Sequence, residues 1–295
     1  MKHKILFIVN PISGNCSGKK LPRRLARNPL YEGIDHAIRF TEYAGHAREL
    51  AARAAGEGFT LVVAVGGDGT VNEVGSALSG TGTIMGIVPL GSGNGFARHL
   101  GYSMREDKAL AQLLAGREER VDVMEINGRC SLNVSGLGFD AAIAHVFARG
   151  KARGLLAYVW AATRAWFSYK ESDYAFRVGD EEWSARGFIV SLANSSQYGY
   201  NFVIAPGASA RDGLLDLCIL RRPRLHEVPY YLFCAATGRV DKLSRFRRVT
   251  CEEVTIRGAS PEGHVDGDPC TFTSPVRAKV IAGALCVIVP ASGNA

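Results

Sequence analysis

The chain has no Cys-x-x-Cys pair, and its seven cysteines (16, 130, 218, 234, 251, 270 and 286) are scattered and odd in number. That spacing argues against a zinc cluster and a disulfide framework. It reads as free, buried thiols in a reducing compartment. No apolar stretch reaches bilayer length: the longest, residues 155–167, contains Arg164 and is too short to span. The N-terminus is apolar only over residues 5–9, before Asn10-Pro11. That is a strand's length, shorter than a signal-peptide core. Internal repeats and low-complexity linkers are absent. So are a Gly-x-x-x-x-Gly-Lys-Ser/Thr loop, the protein-kinase signatures and any nucleic-acid recognition motif. P-loop enzymes and protein kinases are thereby excluded, and no nucleic-acid partner is expected. The expected location is cytoplasmic, either free or peripheral at the inner face of the membrane.

What is present is basic. The net charge is +7, with clusters at Lys19-Lys20, Arg23-Arg24, Arg221-Arg222 with Arg224, and Arg245 with Arg247-Arg248. Two readings stay open: a solvated face, or attraction to an anionic membrane surface or a polyphosphate.

Along the first 125 residues, strands expected at 4–9, 37–41, 61–65 and 85–89 alternate with helical patterns at 47–55, 71–78 and 106–115. Such alternation implies a parallel, doubly wound α/β sheet. Beyond residue 125 short β-type runs dominate: 121–126, 131–135, 174–178, 188–193, 215–220, 249–256, 276–281 and 285–289. These predict a mostly antiparallel β-sandwich. A helical insertion at 141–169 and a helix at 226–236 interrupt it. The expected domains are 1–125 and 126–295.

In doubly wound sheets ligands bind beyond the carboxyl ends of the strands. Three loops rich in glycine or asparagine fall there: 10–18, 66–70 and 91–95. The sharpest is Gly66-Gly67-Asp68-Gly69-Thr70, between an apolar strand and a helix. Glycines let backbone N–H groups approach a ligand, and the helix N-terminus adds positive charge. A carboxylate inside a phosphate cradle points to a metal, water or hydroxyl, and so to phosphoryl transfer.

Taken together, Asn10-Pro11, Thr41-Glu42, Gly45-His46-Ala47, the Gly66–Thr70 element and Pro89-Leu90-Gly91-Ser92-Gly93-Asn94 resemble the diacylglycerol-kinase-like lipid kinases in order and spacing. Gly138-Phe139-Asp140, Ala205-Pro206, Asp212-Gly213-Leu214 and Asp266-Gly267-Asp268 continue the match over nearly the whole chain. The resemblance implies an NAD-kinase/phosphofructokinase-like nucleotide-binding domain and a C-terminal β-sandwich. The tail after about residue 287 is expected to return to the first domain. ATP, Mg2+ and a lipid alcohol are implied as donor, metal and acceptor. The family often dimerises, so a homodimer is among the expectations.

By resemblance, Asn10, Thr41, Gly66, Gly67, Asp68, Gly69, Thr70, Ser92 and Asn94 bind nucleotide, with Asp68 at Mg2+ or its waters. A structural Mg2+ is assigned to Ser209, Asp212 and Leu214. Asp268 takes the role of general base, with Asp266 as helper. Ordinary readings stand beside these: Asn10 before proline as a turn, Thr41 as a helix cap, Asp212-Gly213 and Asp266-Gly267 as tight turns. His264 reads as a packing or surface residue. The sequence departs from the family twice. Asp268 stands where Glu is usual. Gly95 stands where many bacterial members have Asp, giving a loop similar to that of sphingoid-base and ceramide kinases. Two other functions therefore stay open beside a lipid kinase: an NAD kinase, or a nucleotide- or lipid-binding regulator without catalysis.

Overall fold

A computed structural model describes residues 4–150, 155–258 and 262–291. The chain divides into two compact units: Met1–Val121 with Gly283–Ala295, and Asp122–Ala282.

The first unit is built on parallel strands. β1 (Ile5–Val9) pairs with β2 (His36–Phe40) on one side and β3 (Leu61–Gly66) on the other, and β3 pairs with β4 (Ile84–Pro89). β1, β3 and β4 are buried along their whole length. That explains their unbroken apolar sequence, since helices cover both faces of such a sheet. Helices α1 (Ser13–Cys16) and α2 (Leu21–Ala26) follow β1, α3 (His46–Ala54) follows β2, and α4 (Asp68–Leu78) follows β3. After β4 come α5 (Gly95–His99), α6 (Glu106–Ala115) and β5 (Arg117–Ile126). The order β2-β1-β3-β4 reverses direction between β1 and β3. Their carboxyl ends therefore flank a topological switch point, the usual ligand position in such sheets.

The second unit is antiparallel. It contains β6 (Arg129–Ser131), β7 (Val134–Gly138), α7 (Phe139–Arg149), α8 (Leu155–Ser168), β8 (Ser172–Val178), β9 (Glu181–Gly187), β10 (Ile189–Ala193), β11 (Gln197–Gly199) and β12 (Phe202–Val203). β13 (Leu215–Leu220), α9 (Val228–Ala236), β14 (Phe246–Cys251), β15 (Glu253–Arg257), β16 (Glu262–Val265), β17 (Asp268–Thr271) and β18 (Val276–Val289) complete the chain. One sheet runs β14-β13-β10-β7-β16-β17, and the other runs β18-β15-β8-β9. Leu137, Val190, Leu192 and Leu217 from the first meet Phe176, Val254, Ile256 and Ala278 from the second in one core. Two faces packed over alternating side chains are what define a sandwich. Helices α7 and α8 enclose Phe139, Ile143, Ala161, Ala165 and Phe188.

Several elements differ from the sequence reading. The run expected at 249–256 is two strands in different sheets, β14 and β15, broken at Glu252. The two runs at 276–281 and 285–289 are one strand, β18. Gly283, at φ 57°, sits within it at the point where the chain passes from one unit to the other. The helical insertion is two helices, and its residues 151–154 lie outside those described, as do tail residues 292–295. β9, β11, β12, β16 and β17 fall outside the expected runs. β9 is largely exposed and charged, β11 and β12 are only three and two residues long, and β16 and β17 carry the glycines, acids and proline of a turn.

Candidate active site

In the first unit, the predicted nucleotide residues gather at the strand ends. Asn10 follows β1. Its Oδ1 accepts the Ile12 N–H at 3.2 Å, and its Nδ2 donates to Thr70 Oγ1 at 3.4 Å. Sixty residues of sequence separate this pair. Thr41 follows β2 and is tied to β1 through its N–H to the Val9 carbonyl, at 2.9 Å. Helix α4 begins at Asp68, earlier than expected, so Asp68, Gly69 and Thr70 form its first turn.

The two glycine loops touch backbone to backbone. A Cβ at Gly91 would lie 2.5 Å from Gly67 Cα and 2.6 Å from Asn94 Oδ1; one at Gly66 would lie 2.5 Å from Thr70 Oγ1. Only glycine fits such an approach. Asp68 joins the same two loops: its Oδ2 accepts the Asn94 N–H and its Oδ1 the Gly95 N–H, both at 2.8 Å. The stray carboxylate of the motif thus caps the N-terminus of α5, where negative charge is favoured. Asn94 is buried, holds a left-handed φ of 52°, and donates from Nδ2 to the Gly91 carbonyl. Ser92 is exposed at the loop tip. Beside it lies a cavity of about 400 Å³ lined by Ser17, Arg24, Ser92, Arg98 and Glu106. Burial pushes the Glu106 carboxyl up from its ordinary range, against the opposing pull of Arg24.

Glu73 has a role that its sequence position concealed. Its carboxylate accepts the Gly45 and Ala47 N–H groups at 2.8 and 3.1 Å, so α4 caps the start of α3.

In the second unit, Asp266-Gly267 is a two-residue hairpin turn between β16 and β17, with Val265 paired to Asp268. Both central residues have positive φ, 50° and 92°, the type I′ pattern that Asp-Gly favours. The two acids face different surroundings. Asp266 is buried: Oδ1 accepts from Ser131 Oγ at 2.7 Å and Asn133 N–H at 3.0 Å, and Oδ2 accepts from Leu132 N–H at 2.8 Å. Asp268 is exposed.

Asp212 is also exposed, and its Oδ1 accepts the Leu214 N–H at 3.1 Å, an Asx turn leading into β13. The neighbouring Gly213 N–H donates to buried Asp122 Oδ2 at 2.8 Å. No cluster of three His, Cys, Asp or Glu side chains exists among the described residues. An ion held by Asp212 would therefore rely on backbone carbonyls, such as those of Ser209 and Leu214, and on water. Such hard oxygen donors suit Mg2+.

The 212 loop and the 266 turn belong to strands β13 and β16, which β10 and β7 separate. A buried polar chain nevertheless links them. Asp266 holds Leu132 and Asn133. Asn194 donates from Nδ2 to the Leu132 and Asp122 carbonyls, both at 2.9 Å, and Asp122 holds Gly213. Asp122 and Asn194 belong to no motif, so no sequence signal marks them. His264 and Asp140 are buried behind the turn and hydrogen-bonded to each other at 3.1 Å.

Comparison with known proteins identifies the family. The diacylglycerol kinase catalytic domain family matches residues 4–126, and the YegS C-terminal NAD kinase beta sandwich-like domain matches residues 133–289. A probable lipid kinase YegS-like protein of Chromohalobacter salexigens is 33% identical, covering 94% of this chain and 91% of that protein. A protein of the same description from Pseudomonas aeruginosa is 30% identical over 98% and 95%. A diacylglycerol kinase of Mycobacterium tuberculosis is 28% identical over 98% and 96%. The fold matches a putative diacylglycerol kinase from Bacillus anthracis at a TM-score of 0.77, with 21% identity and 97% of both chains covered. With both of its domain families matched and relatives aligned along nearly its full length, the chain belongs to the diacylglycerol-kinase-like, YegS-type lipid kinase family.

Proposed function

We propose that this protein transfers the γ-phosphoryl group of ATP to the hydroxyl of a lipid alcohol, with Mg2+. The observation that carries the reading is the paired glycine loops, locked together by Asp68. Two glycine backbones in contact beyond the ends of β3 and β4, with the N-terminus of α4 beside them, form a cradle for phosphate oxygens. Arg24 and Arg98 line the adjoining cavity and supply positive charge.

Phosphoryl transfer depends chiefly on positioning and on neutralising charge on the phosphoryl oxygens. Gly66, Gly67, Gly69 and Thr70 hold the phosphates. Asn10 and Thr41 orient the nucleoside, and Ser92 offers its exposed hydroxyl to a phosphate oxygen. Asp68 fixes the loops and, in the same reading, stands beside Mg2+ or its water shell. Mg2+ supplies charge neutralisation when bound, and Asp212 with the Ser209 and Leu214 carbonyls would hold a structural ion. Asp268 accepts the acceptor's proton, since it is the exposed acid of its turn. Asp266 acts on Asp268 only by fixing that turn. Exposed Leu156, Trp160 and Phe167 on α8 give the lipid an apolar surface to meet.

A panel of lipid alcohols with labelled ATP tests the reading. Mg2+-dependent label in a diacylglycerol, phosphatidylglycerol or sphingoid base supports it. Label in NAD instead, or in no acceptor, overturns it.

A further inference from the structure

Resting on the lipid-kinase reading, we infer that His264 and Asp140 form a positioning pair that holds the turn carrying Asp268. Both side chains are at least nine-tenths buried, with 3% and 5% exposure. His264 Nδ1 accepts the Gly267 N–H at 3.2 Å. A backbone amide only donates, so Nδ1 carries no proton and the ring proton sits on Nε2. Nε2 in turn donates to Asp140 Oδ2 at 3.1 Å.

Asp140 is itself fixed. Its Oδ1 accepts the Ala141 N–H at 2.9 Å, and its Oδ2 accepts the Tyr198 hydroxyl at 2.9 Å and Ser191 Oγ at 3.3 Å. The carboxylate is an obligatory acceptor here, and it selects the tautomer that leaves Nδ1 free for Gly267. A second histidine of α7 reinforces the hairpin: His145 Nε2 lies 3.2 Å from the Gly263 carbonyl and 3.3 Å from that of Cys270. The turn is thus gripped at Asp266 by the 131–133 segment and at Gly267 by His264. Asp268, next in sequence, is exposed on a fixed backbone. None of this reaches the reacting atoms directly; the pair acts by aiming the base.

Four variants test the pair. In Asp140→Asn, the new amide presents N–H to Nε2, so the ring proton moves to Nδ1 and the Gly267 bond is lost. His264→Asn places an amide oxygen where Nδ1 was and keeps that bond. His264→Gln places its amide near Nε2 and does not. The double variant Asp140→Asn with His264→Asn cannot mis-tautomerise.

The expected kinetics are a kcat fall of about tenfold to a hundredfold in Asp140→Asn and His264→Gln. KM for ATP stays near wild type, His264→Asn retains most turnover, and the double variant recovers turnover lost in Asp140→Asn. Imidazole nitrogen NMR should show His264 protonated at Nε2 in wild type and at Nδ1 in Asp140→Asn. Gly267 amide exchange should accelerate alongside. An unchanged tautomer and unchanged Gly267 exchange in Asp140→Asn overturn the inference, as does a His264→Asn variant no more active than His264→Gln. If no lipid is phosphorylated by wild type, the function reading fails, while the NMR arm still decides whether the pair holds the turn.

Discussion

Asp266 and Asp268 are separated in sequence by Gly267 alone and are opposite in environment. The buried acid accepts one hydroxyl and two backbone amides, while the other meets solvent. Replacing each therefore gives a different phenotype. Asp266→Ala leaves buried donors at Ser131, Leu132 and Asn133 without their acceptor. A loss of about 3 kcal/mol in folding stability is expected, measured by urea denaturation. Asp268→Asn is nearly neutral for stability and lowers kcat by about 10²–10⁴-fold, the usual worth of a general base. An Asp268→Asn variant with wild-type turnover ends that assignment. Cysteine behaviour follows burial too. The Cys251 thiol is pushed up to about 12 by burial, and the Cys218 thiol is also pushed up. Both should resist iodoacetamide at pH 8 in the native protein and react after denaturation, as read by peptide mass spectrometry.

At the scale of elements, the contact between the 66–70 and 91–95 loops is the most exacting feature. Gly91→Ala forces Gly67 and Asn94 apart, because the added Cβ meets backbone at 2.5 Å. ATP affinity measured by calorimetry should fall at least tenfold, with the fold intact by circular dichroism. Unaltered affinity would remove the loops from nucleotide binding. The start of α6 carries a pH signature. Glu106 has a folded-state carboxyl raised above its ordinary value of 4.5, first by burial. The folded chain then keeps this proton to higher pH than the unfolded chain. The stabilisation is complete below the unfolded value and is lost as pH rises through the folded one. Glu106→Gln should flatten that segment of the stability–pH curve; an unchanged slope contradicts the shift.

Legibility divides along the same line. β1, β3, β4 and β13 were readable because they are buried throughout and continuously apolar. The Asp-Gly turn was readable because its backbone demands that pair. Asp68 was readable as a special carboxylate, but its hold on Asn94 and Gly95 was not. That contact is a tertiary one between loops 26 and 27 residues apart. The same limit hid Asp122 and Asn194, ordinary polar residues until the sandwich assembles around them. Asp140 stood in the matched Gly138-Phe139-Asp140 run, but its bond to His264 is a contact across 124 residues that no local pattern signals.

For the whole molecule, the net charge of +7 and the exposed apolar residues of α8 and α9 bear on membrane encounter. Leu156, Val159, Trp160 and Phe167 on α8, with Tyr230, Leu232 and Phe233 on α9, are more than half exposed. No helix among the described residues is long and apolar enough to cross a membrane. Aromatic side chains beside basic ones suit an anionic lipid interface. Co-sedimentation with anionic vesicles should exceed that with neutral ones and weaken with salt, and Trp160→Ser with Phe167→Ser should reduce it. Equal pelleting with both vesicle types would remove charge from the account.

The central claim, phosphoryl transfer to a lipid hydroxyl by a base held on the β16–β17 turn, is tested most directly by labelled ATP. Wild type and Asp268→Asn are each given a panel of lipid alcohols with and without Mg2+, and label is counted in the organic phase. The account predicts Mg2+-dependent lipid label with wild type, and loss of that label in Asp268→Asn with ATP still bound. Equal labelling by the two proteins, or none in any lipid, would contradict it.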